Sequence, residues 1–287
     1  MKHVPVLLEE ALAYLAVRPD GIYVDATAGL GGHTGAIAQR LRTGFVIACD
    51  RDAESLELCR RNVAPWADRV RFWHGRFSEL PSALAAFAVE RADGLLADLG
   101  ASLYQLTDPE RGFSFSVDGP LDMRMDRSRG PTAAEIVNTM AEKALAELIF
   151  RFGEERRARK IARAVVRARP LRTTLELARV IERVAPRTRR LHPATQTFMA
   201  LRLAVNDELG ELERLLELAP ECVRPGGRIV VISFMSLEDR RVKHRFQALA
   251  RQGRVRLLTK HVVRPSAEEV RTNPAARSAR LRAVEMV

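Results

Sequence analysis

The chain has 287 residues and a formal net charge of +11, with 47% hydrophobic and 29% charged residues. This composition fits a folded protein, excludes collagen-like and disordered chains, and contains no uncharged apolar run near the ~20 residues that span a bilayer. Three scattered cysteines argue against a disulfide framework and against a metal site, and an N-terminus without an apolar signal core predicts a cytoplasmic protein.

The positive charge is concentrated in the middle of the chain. Residues 1–123 carry 12 basic and 17 acidic side chains, residues 124–190 carry 18 and 8, and residues 191–287 carry 17 and 11. This shift predicts a separate basic module, which either improves solubility or contacts a polyanion. Arginine supplies 42 of the 47 basic residues, and guanidinium groups suit bidentate contacts with phosphate.

Strand-like and helix-like segments alternate over the first hundred residues. The predicted strands are residues 21–26, 44–50, 70–74 and 94–98, with helices after the first strand and over about residues 53–62. This alternation predicts a parallel sheet with right-handed crossovers.

A glycine-rich turn, Thr27-Ala28-Gly29-Leu30-Gly31-Gly32-His33, follows the first strand and opens a helix. Such a turn lets a ligand approach the backbone, and Asp50 at the end of the second strand suits hydrogen bonds to ribose hydroxyls. NAD enzymes and S-adenosylmethionine enzymes share this pairing. Thr34 stands where the dinucleotide pattern needs glycine, and Asp25 before the turn suits a cationic sulfonium. The pattern therefore favours S-adenosylmethionine.

Asp98 ends the fourth predicted strand, at the sheet edge where ligands of open α/β sheets bind. Enzymes that methylate amino groups often place an acidic or amide group there. Its oxygen accepts a hydrogen bond from the target amine and turns the nitrogen lone pair toward the methyl group. The alternative is that Asp98 caps a turn.

An irregular segment over residues 108–126 and a set of helices follow. Thr132 with Glu135 and Thr173 with Glu176 form capping boxes, and a helix over about residues 154–168 lies between them. Its apolar stripe predicts a small helical core. Its other face is basic and either is solvated or contacts phosphate; its members are Arg156, Arg157, Arg159, Lys160, Arg163 and Arg167, extended by Arg187, Arg189 and Arg190.

The α/β pattern then returns. The sequence predicts a long helix from residue 193 to 222, a turn at 225–227 and a strand over 228–234. Ser236 with Asp239 is predicted to cap a further helix, and two last strands are predicted over 254–259 and 280–286. The fold class is therefore a seven-stranded, Rossmann-like α/β sheet of the class I methyltransferase type, with an inserted helical domain.

These residues resemble the bacterial small-subunit ribosomal RNA cytosine-N4 methyltransferases, the MraW family. The resemblance runs from His3 to Ser278, and its specific stretches are residues 27–34, 50–52, 105–106, 111–115, 119–126, 153–156, 192–206 and 232–240. Several long motifs in one order are far more specific than a glycine turn alone.

The resemblance implies a domain that binds S-adenosylmethionine, residues 1–105 and 200–287, interrupted by a substrate-recognition insertion over residues 106–199. It implies methylation of N4 of a decoding-centre cytidine in 16S rRNA. The partner would be that RNA or the small ribosomal subunit, with no membrane, and the protein would be a monomer or a homodimer.

The cofactor-binding residues carried over from the family are Gly31, Gly32, His33, Asp50, Phe77, Asp98 and Gln105. Phe77 stacks on adenine in this interpretation and is a core residue in the alternative. Asp98 is also the candidate catalytic residue, and no metal is expected. The candidate RNA-contacting residues are Arg111, Asp122, Arg124, Arg156, Arg157, Arg159, Arg163 and His192.

Two segments depart from the family pattern. Met235 stands where the family has histidine, and residues 102–107 read Ser-Leu-Tyr-Gln-Leu-Thr where the family has Ser-Ser-x-Gln-Leu-Asp. The first departure implies that the histidine is not an obligatory base, because the methylated amine can lose its proton to water. The competing hypothesis is a non-catalytic RNA-binding assembly factor that retains the fold.

Overall fold

The computed structural model describes residues 5–185 and 192–287. The chain divides into two compact units, Met1–Gly100 with Gly210–Val287, and Ala101–Leu209. The sequence placed the domain boundaries after residues 105 and 199, and both of these positions lie inside the second unit. The first unit therefore joins the front and the back of the chain.

The first unit contains one mixed sheet. Its strands are β1 (Ile22–Asp25), β2 (Phe45–Asp50), β3 (Val70–His74), β4 (Ala92–Asp98), β5 (Val223–Ser233), β6 (Val255–Leu257) and β7 (Arg280–Met286). The spatial order is β3-β2-β1-β4-β5-β7-β6. Strands β1 to β5 pair in parallel, whereas β7 is antiparallel to both β5 and β6. The predicted seven-stranded, Rossmann-like fold class is confirmed.

The α-helices, in chain order, are α1 (Leu8–Leu15), α2 (Gly32–Arg40), α3 (Ala53–Asn62), α4 (Leu80–Ala86), α5 (Leu103–Thr107), α6 (Ala133–Thr139), α7 (Glu142–Gly153), α8 (Ala158–Arg167), α9 (Thr174–Glu182), α10 (Thr195–Val205), α11 (Glu208–Cys222), α12 (Ser236–Arg251) and α13 (Ala267–Thr272). None of the helices in the described part of the chain is both long enough and apolar enough to cross a membrane.

Helices cover both faces of the sheet. Helices α1, α2 and α3 bury side chains such as Ile37 and Leu56 against one face, and α4, α11 and α12 bury side chains such as Leu84, Leu215 and Phe246 against the other. A sheet covered on both faces needs apolar residues on both sides of its strands, which is why the strands read as continuous apolar runs. The polar residues that end β1, β2 and β4 are left at the carboxyl edge.

The second unit has its own core, formed by α6 to α10. Both predicted capping boxes are present: the Glu135 backbone N–H donates to Thr132 Oγ1 (3.1 Å), and that of Glu176 donates to Thr173 Oγ1 (3.3 Å). The apolar stripe of α8 is buried, with Ile161 fully inaccessible.

Tertiary hydrogen bonds lie at two breaks between helices, one of them inside a helix that the sequence predicts as continuous. The predicted helix over 193–222 breaks after α10, where Asp207 has a φ of 46°. There the Asn206 amide donates to Met123 O (2.8 Å) and accepts from the Met125 N–H (2.8 Å). The apolar run over residues 136–152 breaks between α6 and α7, where the Arg169 side chain donates to Met140 O (2.5 Å).

The start of α12 also differs from the prediction. Ser236 is its first helical residue, and Asp239 binds Arg282 instead of capping the helix. Glu238 Oε2 accepts hydrogen bonds from the backbone N–H groups of Phe234 (3.0 Å) and Met235 (3.1 Å). Strand β5 begins earlier than predicted, at Val223, with a register irregularity opposite Ala92 and Gly94.

Truncation of the buried stripe of α8 tests the core of the second unit. We expect Ile161→Ala to lower the free energy of unfolding by about 2–5 kcal/mol, because it removes contacts and leaves a cavity. Arg159→Ala, on the exposed side of the same helix, is the matched control and should change it by less than about 0.5 kcal/mol. Urea unfolding followed by circular dichroism measures both. Equal effects of the two substitutions would contradict the burial of this stripe.

Candidate active site

The Asp50 carboxylate fastens the glycine-rich turn to the end of β2. Its Oδ2 accepts a hydrogen bond from the Gly29 backbone N–H (2.7 Å), and its Oδ1 accepts one from the Asp52 N–H (2.8 Å). Burial raises the pKa of Asp50 to about 6 despite these two bonds. A carboxylate oxygen can accept more than one hydrogen bond, so the predicted ribose contact is compatible with this arrangement.

Asp25 lies beneath the turn and does not reach a ligand. Its side chain is completely buried; its Oδ2 accepts from the Thr34 hydroxyl (2.6 Å), and its Oδ1 accepts from the Thr27 N–H (3.2 Å). Burial raises the pKa of Asp25 to about 6. The suggestion that Asp25 faces a sulfonium is therefore wrong. Thr34, which breaks the dinucleotide pattern, is the hydroxyl that holds this carboxylate.

Gly31 and Gly32 allow the start of α2 to pack closely against its own chain. Gly31 has a φ of +88°, and a Cβ there would lie 2.9 Å from Val63 Cγ1. A Cβ on Gly32 would lie 2.7 Å from Pro5 Cγ. A side chain at either position would displace the first turn of α2. The backbone N–H groups of this turn have no acceptor within the helix and are available to a ligand at its N-terminal end.

His33 and Asp98 approach each other beside this turn. His33 is buried; its Nε2 donates to Val6 O (3.1 Å), because a carbonyl can only accept, and its Nδ1 lies 3.8 Å from Asp98 Oδ2. The Asp98 backbone N–H donates to Thr27 Oγ1 (2.6 Å). The side chain of His33 thus joins the site, whereas the sequence assigned a role only to its backbone.

One carboxyl oxygen of Asp98 is available for a ligand. Its Oδ1 is buried without a hydrogen-bond partner. Burial raises the pKa of Asp98 well above its ordinary value, and the nearby charges of Asp25 and Glu238 raise it further. Buried polar atoms without partners are rare in native proteins, and they commonly mark ligand sites.

A small recess, with a cavity volume of about 10 Å³, lies beside the ends of β2 and β3. Phe77 lines it together with Ala26, Cys49, Trp73 and Arg76. Phe77 also packs partly against the core, so both interpretations of this residue describe its surroundings. Trp73 Nε1 and Arg76 Nε are buried there without partners. No sequence motif points to these two donors; the available signal was their place at the end of a parallel strand and just after it.

Gln105 lies in the second unit, at the third position of α5. Its side chain is buried, its Oε1 accepts from the Ser102 N–H (2.9 Å), and its own N–H donates to Ser102 Oγ (3.2 Å). This capping box fixes the start of α5. Gln105 therefore has a structural role at the start of α5. Its contact with the cofactor stays a prediction.

Arg111 is a buried anchor of the irregular segment over residues 108–126, which corrects its prediction as an RNA-contacting residue. Only 1% of it is exposed, and its Nη2 donates to the backbone carbonyls of Arg124 (3.0 Å) and Met125 (2.9 Å). A guanidinium with both of these bonds inside the unit cannot reach a phosphate at the surface.

Asp122 and Arg124 form a bidentate ion pair in the same segment. Asp122 Oδ1 accepts from Arg124 Nε (2.8 Å), and its Oδ2 accepts from Arg124 Nη2 (2.9 Å). Burial alone would raise the pKa of Asp122, but the bonds from Arg124 outweigh it and the pKa is lowered. Most of the charge of Arg124 is therefore offset within the segment.

His192 is held in one orientation. Its ring stacks on Phe115 with a centroid distance of 4.5 Å. Its Nδ1 accepts from the Ala194 N–H (3.2 Å), so its Nε2 carries the proton and donates to Glu182 Oε1 (2.8 Å). About a quarter of the side chain, 24%, is exposed and could meet a ligand.

Helix α8 begins at Ala158, later than the predicted start near residue 154, so Arg156 and Arg157 precede the helix while Arg159 and Arg163 lie on it. All four are exposed, and together they are called the basic face of α8. Arg163 makes a weak contact, 3.4 Å, with Glu142 while 64% of its side chain stays accessible. The further arginines Arg187, Arg189 and Arg190 lie outside the described residues. Across residues 5–185 and 192–287, no group of three or more His, Cys, Asp or Glu could hold a metal ion.

The buried carboxylate of Asp25 predicts a pH dependence of stability. Its pKa is about 6 in the folded protein against an ordinary 3.8, so its favourable contribution is complete below pH 3.8 and is lost as the pH rises through 6. Asparagine does not titrate there. We expect the stability of Asp25→Asn relative to the native protein to rise by about 2.4 kcal/mol between pH 4 and pH 7.

Urea unfolding at several pH values measures this difference. Asp68→Asn is the control, because 72% of the Asp68 side chain is exposed. The difference in free energy of unfolding between this variant and the native protein should be the same at every pH. A difference for Asp25→Asn that is also independent of pH would contradict the burial of an ionisable Asp25.

The chain is similar to known proteins over its whole length. The model of the MraW methylase family matches residues 1–287. The chain is 62% identical over 284 residues to the ribosomal RNA small subunit methyltransferase H of Solibacter usitatus, covering 99% of each chain. It is 50% identical to the protein of the same name from Acidobacterium capsulatum, covering 99% of this chain and 98% of that one.

Among solved structures, the chain is similar to an rRNA methylase from Streptococcus thermophilus, with a TM-score of 0.46 and 11% identity over 100% of this chain and 99% of that one. The family prediction rests on the sequence matches and is confirmed by them. The chain belongs to the MraW methylase family.

Proposed function

We propose that this protein is an S-adenosylmethionine-dependent methyltransferase that modifies N4 of a cytidine in the decoding centre of small-subunit (16S) ribosomal RNA. The observation that carries the proposal is full-length identity of 62% to a ribosomal RNA small subunit methyltransferase H. The arrangement of Asp50, Asp98 and the glycine-rich turn at one edge of the sheet supports it.

The residues at the carboxyl edge fit the cofactor. Gly29 has a φ of +51°, and a Cβ there would meet only Thr27 O, at 3.8 Å, so a ligand can approach the backbone on that side. The first turn of α2 and Asp50 would hold the methionine and ribose parts, and adenine would lie against Phe77. Bound S-adenosylmethionine supplies an electrophilic methyl group on a sulfonium.

Asp98 orients the acceptor. The N4 lone pair of cytosine is delocalised into the ring, so the rate depends on position and angle more than on a strong base. Asp98 Oδ1, the buried oxygen without a partner, accepts a hydrogen bond from the amino group in this proposal. A carboxyl oxygen accepts whether or not the group is ionised, so the raised pKa of Asp98 leaves this role intact.

His33 holds a proton next to Asp98. Because its Nε2 donates to Val6 O, its Nδ1 is the atom that faces Asp98. A deprotonated Nδ1 opposite a carboxylate is unfavourable, so one proton on either group stabilises the pair. Because the pair already carries this proton, the proton that N4 loses after transfer passes to water.

The exposed basic face of α8 would contact the RNA backbone. Arginine forks bind phosphate oxygens without reading sequence, which positions a strand. A base must leave its stack before its amino group can meet the methyl donor, and this favours an unpaired nucleotide as substrate.

Substitution of the two edge carboxylates tests the site. We expect Asp98→Ala to slow methyl transfer about 100-fold, because no side-chain oxygen remains to orient the amine. Asp50→Asn should weaken binding of S-adenosylhomocysteine, because an amide cannot accept both backbone N–H groups. Labelled methyl incorporation into small-subunit rRNA, with mass spectrometry of N4-methylcytidine, measures the first; calorimetry measures the second.

Asp68→Asn, an exposed carboxylate on the same unit, is the matched control and should behave as the native protein. Full activity of both site variants would contradict the assignment of these residues. Tight RNA binding by a native protein that binds no S-adenosylhomocysteine would favour the non-catalytic assembly factor.

Neutralisation of the α8 arginines tests the RNA surface. We expect the combined change of Arg156, Arg157, Arg159 and Arg163 to Gln to weaken RNA binding and to flatten its dependence on salt, since each lost phosphate contact reduces the slope by about 0.7–0.9. The affinity for S-adenosylhomocysteine should stay nearly unchanged. Filter binding at several salt concentrations measures the slope.

The control carries four glutamines for exposed arginines of the first unit, Arg42, Arg61, Arg251 and Arg271. It removes the same charge and should leave most of the slope in place. If both quadruple variants flatten the slope equally, the effect comes from net charge and not from the α8 face.

A further inference from the structure

Arg280 lies at the ligand edge of the sheet, although no motif pointed to it. It is the first residue of β7 and pairs in register with Ser233, the last residue of β5. Strand β5 runs parallel to β4, so its end lies at the same edge as Asp98. The side chain of Arg280 therefore begins where the sheet presents its polar ends.

The guanidinium of Arg280 has no partner within the described part of the chain. Its Nη1 is buried and makes no hydrogen bond, and no carboxylate lies within ion-pair distance. The next arginine along β7 differs: Arg282 donates to both oxygens of Asp239, at 2.6 and 3.1 Å. Leaving a buried charged donor unsatisfied costs free energy, so an external acceptor is the simplest way to satisfy Arg280.

The neighbouring charges indicate what that acceptor is. Residues two apart on a strand share a face, so Arg280 lies on the α12 side with Arg282 and about 7 Å nearer the carboxyl edge. Glu238 and Asp98, at the same edge of the sheet, are acidic. A polyanion that approaches them needs a cation, and the charge of Arg282 is already offset by Asp239.

We propose that Arg280 binds a backbone phosphate of the RNA strand that carries the target nucleotide. This inference rests on the proposed function. The cofactor carboxylate has the same chemistry, but the glycine-rich turn follows β1, and the strand order β1-β4-β5-β7 separates it from Arg280 by about 14 Å. Strand β4, which ends at Asp98, is nearer to Arg280 than β1 is. A phosphate next to the amine that Asp98 orients therefore fits the position of Arg280 better than the cofactor carboxylate does.

Substitution of Arg280 tests the contact. Arg280→Gln should weaken RNA binding on the order of tenfold and reduce the slope of log affinity against log salt by about 0.7–0.9. Arg280→Lys keeps a point charge and should retain most of the slope. Arg251→Gln, an exposed arginine at the far end of α12, is the control and should change neither quantity. The affinity for S-adenosylhomocysteine should be unchanged in all three variants.

Three results would overturn the proposal. An unchanged salt slope in Arg280→Gln would exclude a phosphate contact. A tenfold loss of S-adenosylhomocysteine affinity would assign Arg280 to the cofactor carboxylate. A lowered melting temperature in both Arg280 variants with native RNA affinity would assign it a structural role.

A different result would refute the proposed function without refuting the phosphate contact. A native protein that transfers no methyl group while Arg280→Gln still lowers the salt slope would refute the activity and keep the phosphate contact.

Discussion

The ligand edge depends on two carboxylates that hold the glycine-rich turn, the buried Asp25 and the half-buried Asp50. Asp25 binds the Thr34 hydroxyl at the start of α2, and Asp50 binds the Gly29 N–H in the turn itself. Each bond joins the end of a parallel strand to the segment that follows β1. Without these bonds the turn would have no fixed position relative to β2, and the backbone N–H groups at the start of α2 would not be held in one orientation.

These carboxylates are costly to bury, and their raised pKa values reflect that cost. Burial also raises the pKa of Asp98, and the nearby charges of Asp25 and Glu238 raise it further. The acidic edge suits a cationic sulfonium. It opposes a polyanion, so an RNA strand needs compensating cations close to the edge, and Arg280 has the position and the unpaired charge for that role.

The net charge of +11 is unevenly distributed along the chain, and the part that supplies most of the acidic edge is itself acidic. The front third, which supplies β1 to β4, is acidic, and the segment over residues 124–190 holds most of the excess. Within that segment the arginines have different roles. The Arg169 side chain donates a hydrogen bond to Met140 O at the end of α6, whereas the arginines of α8 remain exposed. Arg111, just before it, is buried. A count of charges therefore overstates the surface that can meet RNA.

The sequence by itself determined the sheet, the family and the exposed basic face of α8, because apolar periodicity, capping boxes and strand-end acids are local patterns. It could not determine which polar groups face a ligand. Arg111 and Asp25 look like ligand-binding residues in sequence but are buried against partners distant in the chain, and Trp73, Arg76 and Arg280 acquire meaning only from their place at the sheet edge. The breaks at Met140 and Asn206 were hidden for the same reason, since the hydrogen bonds that stabilise them come from remote segments. Partners far apart in sequence meet only when the chain is folded, so these choices belong to the tertiary structure.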